Sequence, residues 1–379
     1  MEKISRINDR SSNFELLRIL AMLLIVALHS VYFGVQFGIL GGGNLNFYVS
    51  TFVGGFCGGV GNYLFVLISS YFICTSSFSR KRLFAVWQQV FFYSAVIGLF
   101  FFVSKIPTIG FYDRDAYDSL GFFAAAKPAG KIDLIRSFLP VLMGNNWFAT
   151  CYIVFYLFTP ALNRLVAVID RRMHLYLVFL MVFLGTIVSF IPGQGLLHPS
   201  NFYHFVTAYF IASYIKMYSP QIFDSAKRNL ILGALVCVLC GLWNCTVEHL
   251  AERYGVVRAF SRFVLLGNID KFPILLAAVL IFAGFRRLSI PRSRVINTVA
   301  SATFGVYLIH VNGLLKIFLW HRLLKCDSFA YSAFYPLYLI ISVLLVFAVC
   351  AGIDLLVRQP LERLFLRLTA RTARFLPRR

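Results

Sequence analysis

The chain has 379 residues, 59% of them hydrophobic and 13% charged, and carries a formal charge of +21. A mean hydropathy of +0.77 is too apolar for a soluble domain of ordinary make-up. The cations do not describe a nucleic-acid face, because such a face needs them clustered on a water-soluble scaffold, and here they fall between apolar runs. The expected class is an all-α, polytopic integral membrane protein: a single membrane domain over 1–379 with the lipid bilayer as partner and no nucleic acid.

A spanning helix needs about 20 mostly apolar residues, because each rises about 1.5 Å and hydrocarbon cannot satisfy loose backbone groups. Ten segments qualify, near 14–34, 47–74, 83–104, 147–168, 175–191, 202–218, 230–246, 266–285, 296–319 and 334–357. The eighth is the weakest, since Asp270, Lys271 and Pro273 interrupt one end. The basic prelude to the first run resembles a signal peptide, but the run is long and no small-x-small cleavage site follows, so it is expected to be retained.

Lysine and arginine in short loops stay on the cytoplasmic side. With the N-terminus inside, the segments around Arg80–Arg82, Arg164–Arg172, Lys227–Arg228 and Arg286–Arg294, and both ends of the chain, outweigh the outer loops roughly two to one in cations. Both termini are therefore expected in the cytoplasm. In the first long outer loop, Ile132, Ile135, Leu139 and Leu142 share one helical face, which suits a segment lying along or dipping into the outer membrane surface. At the C-terminal end, residues 358–379 set Leu361, Leu364, Phe365, Leu368 and Phe375 among arginines, as in a helix lying on an anionic inner leaflet.

Most of the cysteines fall in apolar stretches, where a thiol packs as a small hydrophobe. The Cys237-Val-Leu-Cys240 pair has no second pair or histidine at zinc spacing, so no metal is expected. Cys245 and Cys326 both fall outside, which leaves a disulfide between them open.

The first span holds two ionisable side chains, Arg18 and His29. Eleven residues are close to three turns, so both share a helix face about 16 Å apart along the axis. An arginine one turn into a span can snorkel to headgroups, and a buried histidine can be satisfied by a carbonyl; intramembrane ionisable groups otherwise mark functional cavities. The ninth span carries His310 at similar depth, so the two histidines are expected to line one cavity. A neutral imidazole there can take a proton from a hydroxyl group.

Arg18, ten residues and His29 resemble the signature of acyltransferase family 3, integral membrane enzymes that acylate extracytoplasmic glycans. "GNYLFVLISSYFI" (61–73), "NNWFATCYIVFYLFTPAL" (145–162), "TFGVYLIH" (303–310) and "VRQPLERL" (357–364) resemble further family motifs in the expected order. Ser70 stands where members usually have glycine after Ser69, which puts close packing or backbone access there in doubt. Members often carry an appended soluble domain; none is expected here, so the membrane domain would complete transfer alone or with a partner.

The resemblance implies a multi-pass protein of a bacterial cytoplasmic membrane that moves an acyl group, by default acetyl, from cytoplasmic acyl-coenzyme A to a hydroxyl of a surface glycan or lipid-linked sugar. Acyl-coenzyme A would be a co-substrate, with no permanently bound cofactor. Arg18, Arg80, Arg82 and Arg286 are the expected phosphate partners, since guanidinium pairs well with phosphate. Ser69 would line the path of the pantetheine arm beside the first helix, though a small residue there also suits helix packing. His29 would act as general base, with His310 beside it, and Asn145, Asn146 or Trp147 would serve the oxyanion or the sugar. A covalent acyl-histidine relay stays open. Glu15 is expected to orient Arg18, and Asp354 to pair with Arg358. The alternative is a transporter or flippase of a small molecule or lipid-linked sugar, which would also use buried polar groups.

Overall fold

The computed structural model describes residues 11–34, 44–110, 126–191, 200–254 and 265–364. The first apolar run forms α1 (Ser12–Gly34), whose Leu17, Ala21, Met22, Ile25 and Val26 recur at helical spacing and are all buried. The next run forms α2 (Leu45–Gly54) and α3 (Cys57–Ile73), interrupted at Gly55 and Phe56. A Cβ at Gly55 would lie 2.9 Å from Gly241 Cα, so this break is where two backbones touch. Helix α4 (Arg80–Ser104) begins where the Ser79 hydroxyl accepts from the Arg82 amide at 3.3 Å.

A two-residue antiparallel pair, β1 (Pro107–Thr108) with β2 (Lys127–Pro128), precedes the short α5 (Lys131–Phe138). Then come α6 (Trp147–Val168) and α7 (Arg171–Val182), the latter capped by Asp170 and wound on through π and 3-10 turns to Phe190. Helices α8 (Asn201–Tyr218), α9 (Ala226–Arg253) and α10 (Phe272–Arg287) follow. The remaining elements are α11 (Arg294–Ser301), α12 (Thr303–His310), α13 (Leu315–Ile317), α14 (Cys326–Phe329) and α15 (Tyr335–Ile353), which runs on through a π turn, Asp354–Arg358.

Helix α1 is the hub, packing on α2, α3, α10, α11, α12 and α15. Its start is tied down by polar groups: the Asn13 amide donates to Phe285 O at 2.9 Å and the Ser12 hydroxyl to Asn297 Oδ1 at 3.0 Å. Outward faces are apolar, with Val103, Phe158, Phe179 and Ile341 all exposed, as hydrocarbon surroundings require. By length and composition, seven helical runs among the described residues can cross a membrane, or eight if the pair Arg294–His310 and Leu315–Leu323, bent by 96°, counts as one. The sixth and eighth expected spans form α8 and α10, which fall short of that standard: α10 has 16 residues, and α8 carries Asn201, His204, Thr207, Ser213 and Lys216. Asp270 and Lys271 precede α10 rather than interrupting it, and Pro273 sits in its first turn, where its missing N–H costs nothing.

The amphipathic segment is helical only to Phe138, with Ile132 and Ile135 exposed. Of the C-terminal stripe, Leu361 and Leu364 are exposed, while Phe365, Leu368 and Phe375 lie outside the described residues. All eight cysteines are free, so Cys245 and Cys326 do not pair. Cys245 Sγ instead reaches Tyr48 O at 3.3 Å, and Cys326 Sγ meets Tyr338 Oη at 3.1 Å.

Candidate active site

His29 on α1 and His310 at the end of α12 come from opposite ends of the chain and meet with Nδ1 and Nε2 2.9 Å apart. His310 is fully buried, and its Nδ1 lies 2.6 Å from Val306 O one turn back. A carbonyl only accepts, so His310 Nδ1 carries the proton and donates; in the neutral ring Nε2 is then an acceptor. His29 Nδ1 must be the donor to it, which leaves the lone pair of a neutral His29 on Nε2. Phe33 stacks on the His29 ring, centroids 5.1 Å apart and planes 14° apart, and fixes its remaining freedom.

His29, unlike His310, lines a cavity of about 540 Å³, together with Asn62, Trp147, Asn244, Glu248, Asn268 and Tyr307. A second cavity of about 360 Å³ shares Leu28, Gly58, Asn62, Trp147, Gly267 and Asn268 with it and adds Asn201, His204 and Asp270, so the two form one cleft. The loop before α10 lines both through Gly267 and Asn268. Asn244 holds that loop by two hydrogen bonds to Leu266, each 2.7 Å, and Gly59 N donates to Gly267 O at 3.0 Å. Gly267 has φ +115°, and a Cβ there would meet Gly54 O at 2.3 Å, so only glycine fits.

At the other end of α1, Arg18 forms an ion pair with Glu15 one turn back, as expected from the spacing. Both line a cavity of about 600 Å³ with Ser69, Arg82, Tyr152 and Tyr156. Arg18, Arg82 and Ser69 are thus brought together. Arg80 and Arg286 are not on this wall: Arg80 is exposed at the start of α4, and the half-buried Arg286 has Nε and Nη2 without hydrogen-bond partners among the described residues. Asn145 and Asn146 do not line the His29 cleft either. Asn145 donates to Arg136 O at 2.8 Å, and Asn146 precedes α6 with its Oδ1 buried and unpartnered among the described residues. Trp147 does line it.

Sequence reasoning ran the pantetheine arm beside α1 from Arg18 to His29. The two cavities have no lining residue in common, and between them Ala21 and Met22 are fully buried. Ser70, the departure from the expected glycine, is fully buried with a hydroxyl that has no partner among the described residues, so packing there is close despite the added side chain. The Asp354–Arg358 pair also forms, at 2.6 Å. Among the described residues no group of histidine, cysteine and carboxylate side chains could hold a metal ion. Asn62, Asp270 and His204 were not read as site residues. Asp270 was visible as a charge at the edge of an apolar run; its approach to α3 depends on a loop whose course the sequence does not show.

A histidine pair with one member on a cavity at one end of α1, and an arginine-lined cavity at the other end of the same helix, are set in a helical protein with seven or eight runs able to cross a membrane. The family model described as "Acyltransferase domain" matches residues 11–353. The chain belongs to acyltransferase family 3. No curated protein and no solved structure matches it.

Proposed function

We propose that the protein transfers an acyl group, acetyl in the simplest case, from cytoplasmic acyl-coenzyme A to a hydroxyl of an extracytoplasmic glycan or lipid-linked sugar. The proposal includes ten crossings, the two short helices α8 and α10 among them, with both termini in the cytoplasm. The observation that carries it is the chain Val306 O, His310, His29, which turns a lone pair on His29 Nε2 away from His310.

In this scheme His29 Nε2 takes the hydroxyl proton as the sugar oxygen attacks the thioester carbonyl carbon. The tetrahedral intermediate collapses, the C–S bond breaks, and the imidazolium returns the proton to the departing thiolate. The products are an ester and free coenzyme A. His310 Nε2 accepts a charge-assisted hydrogen bond from the transient imidazolium, so it both orients and stabilises the base. Base catalysis of this kind contributes about 10²- to 10⁴-fold in rate.

The nucleotide end would occupy the Arg18 cavity, its phosphates taking the guanidinium of Arg18 from Glu15 and that of Arg82 from solvent. The pantetheine arm then needs Met22 to move. Met22 is unbranched and flexible, the kind of side chain that repacks at low cost. The full chain in vesicles, given acetyl-coenzyme A on the Arg18 side and a glycan acceptor on the other, should release one thiol per ester formed. A transporter would move the sugar with no thiol release, and that result would remove the proposal.

A further inference from the structure

Attack on a thioester puts negative charge on its carbonyl oxygen, and a site that drives the step needs a hydrogen-bond donor aimed at that atom. Asn145 and Asn146 do not line the His29 cleft. Tyr307 does, on the cavity that His29 lines and not on the second one. It stands three residues before His310 on α12, so both side chains lie on one helix face, with ring centroids 6.3 Å apart. The contacts of Ser12 with Asn297 and of His29 with His310 run α11 and α12 beside α1 in the same direction. Tyr307 is therefore nearly one turn closer than His310 to the Arg18 end, the side from which the thioester would approach.

The tyrosine ring is held in place, 4% exposed, with the Phe148 ring at 5.6 Å and Phe304 stacked at 6.2 Å, planes 10° apart. Its oxygen accepts a hydrogen bond from the Phe148 amide. Phe148 is the second residue of α6, where amides find no partner within the helix, and the N-cap residue Asn146 makes no side-chain cap. Tyr307 fills that role from another helix. Its own proton remains to be given, and no hydrogen bond donated by this hydroxyl occurs among the described residues. Accepting from an amide makes the phenol a stronger donor, and the positive end of α6 behind it favours negative charge in front of it.

We propose that Tyr307 is a catalytic residue of the transfer, its hydroxyl donating to the thioester carbonyl oxygen as that atom becomes negative. The inference rests on the transfer reading. As the sugar oxygen bonds to the carbonyl carbon, the C=O electron pair moves onto oxygen and the hydrogen bond from Tyr307 strengthens. When the C–S bond breaks, the pair returns to C=O and the thiolate takes its proton from His29. Tyr307 keeps its proton throughout.

The test is calorimetric titration of the full chain in detergent with two ketone analogues, S-acetonyl-coenzyme A, which stays trigonal, and S-trifluoroacetonyl-coenzyme A, which adds water to become tetrahedral with an acidic hydroxyl. Wild-type protein should bind the trifluoro analogue at least about 10²-fold more tightly. Tyr307→Phe should bind the acetonyl analogue with unchanged affinity and keep less than about a tenth of that preference. If Tyr307→Phe fails to give a cooperative thermal transition, 3-fluorotyrosine at position 307, a stronger donor of nearly the same size, carries the test by raising the preference about twofold or more. A preference unchanged in either variant would overturn the inference, even with a lowered thermal midpoint, since the hydroxyl would then only cap α6. Equal binding of the two ketones by the wild type would overturn it too. Binding of neither ketone would instead sink the reading of acyl-coenzyme A as donor, and the inference with it.

Discussion

His29 and His310, 281 positions apart in sequence, share a 2.9 Å hydrogen bond whose direction is set by the Val306 carbonyl behind His310. The pair resembles a catalytic dyad in which the buried member positions the one that faces substrate. His310→Phe should therefore lower kcat for acyl transfer by about 10²-fold or more while the Kd for acyl-coenzyme A stays unchanged. Stopped-flow turnover and calorimetric binding on the same preparation separate the two quantities; a fall in affinity alone would show that His310 serves the donor.

Arg18 and Arg82 should act on the donor alone. Arg18→Ala is expected to weaken acyl-coenzyme A binding about 10- to 100-fold, and Arg18→Lys to recover little of it, because lysine lacks the bidentate fork. Arg82→Ala should move the same way by a smaller step. Calorimetric titration at two salt concentrations reads both, with the wild-type affinity falling more steeply with salt than that of either variant.

The packed stretch between the cavities gives a separate prediction. Met22→Trp would overfill a site that is already closed, at a cost of about 1–3 kcal/mol in stability. Acyl-coenzyme A should still bind in the Arg18 cavity, yet no thiol should be released on adding acceptor. Wild-type transfer rates in this variant would mean that the arm takes another route.

Asp354 is fully buried and accepts from Tyr93 Oη at 2.7 Å, Gln89 Nε2 at 3.3 Å, Gln359 Nε2 at 2.9 Å and the Arg358 guanidinium at 2.6 and 3.0 Å. Asp354→Ala leaves Arg358 without its main counter-charge and should cost about 3–5 kcal/mol. Gly305→Ala should destabilise too, since its Cβ would fall 2.2 Å from Asp354 Oδ1. Thermal unfolding in detergent measures both; an unchanged midpoint in Asp354→Ala would show the network to be dispensable for the fold.

Long apolar runs with clear ends were legible in the sequence. The expected 147–168 coincides with α6, and 202–218 and 83–104 come close to α8 and α4, because Ser79 and the polar ends of these runs punctuate them. The ninth span was harder to read, since it breaks where the Asn312 side chain accepts from Leu314 N at 3.0 Å and so competes with the helix ladder. Hydropathy records composition and is blind to such local competition. The two histidines could be matched in depth from sequence, but that only His29 lines the cavity, and that the Val306 carbonyl sets the direction of their hydrogen bond, depends on the packing of α1 against α12. The passage beside α1 was inferred from two polar ends of one helix face; Ala21 and Met22, apolar and unremarkable in sequence, are buried between those ends.

The most direct measurement is the mass spectrum of surface glycans from cells carrying either the wild-type chain or His29→Ala, with membrane accumulation of both verified. Glycans from wild-type cells should carry the mass increment of one acyl group, and those from His29→Ala cells should lack it at equal protein level. Full acylation by His29→Ala would contradict the assignment of His29 as the base.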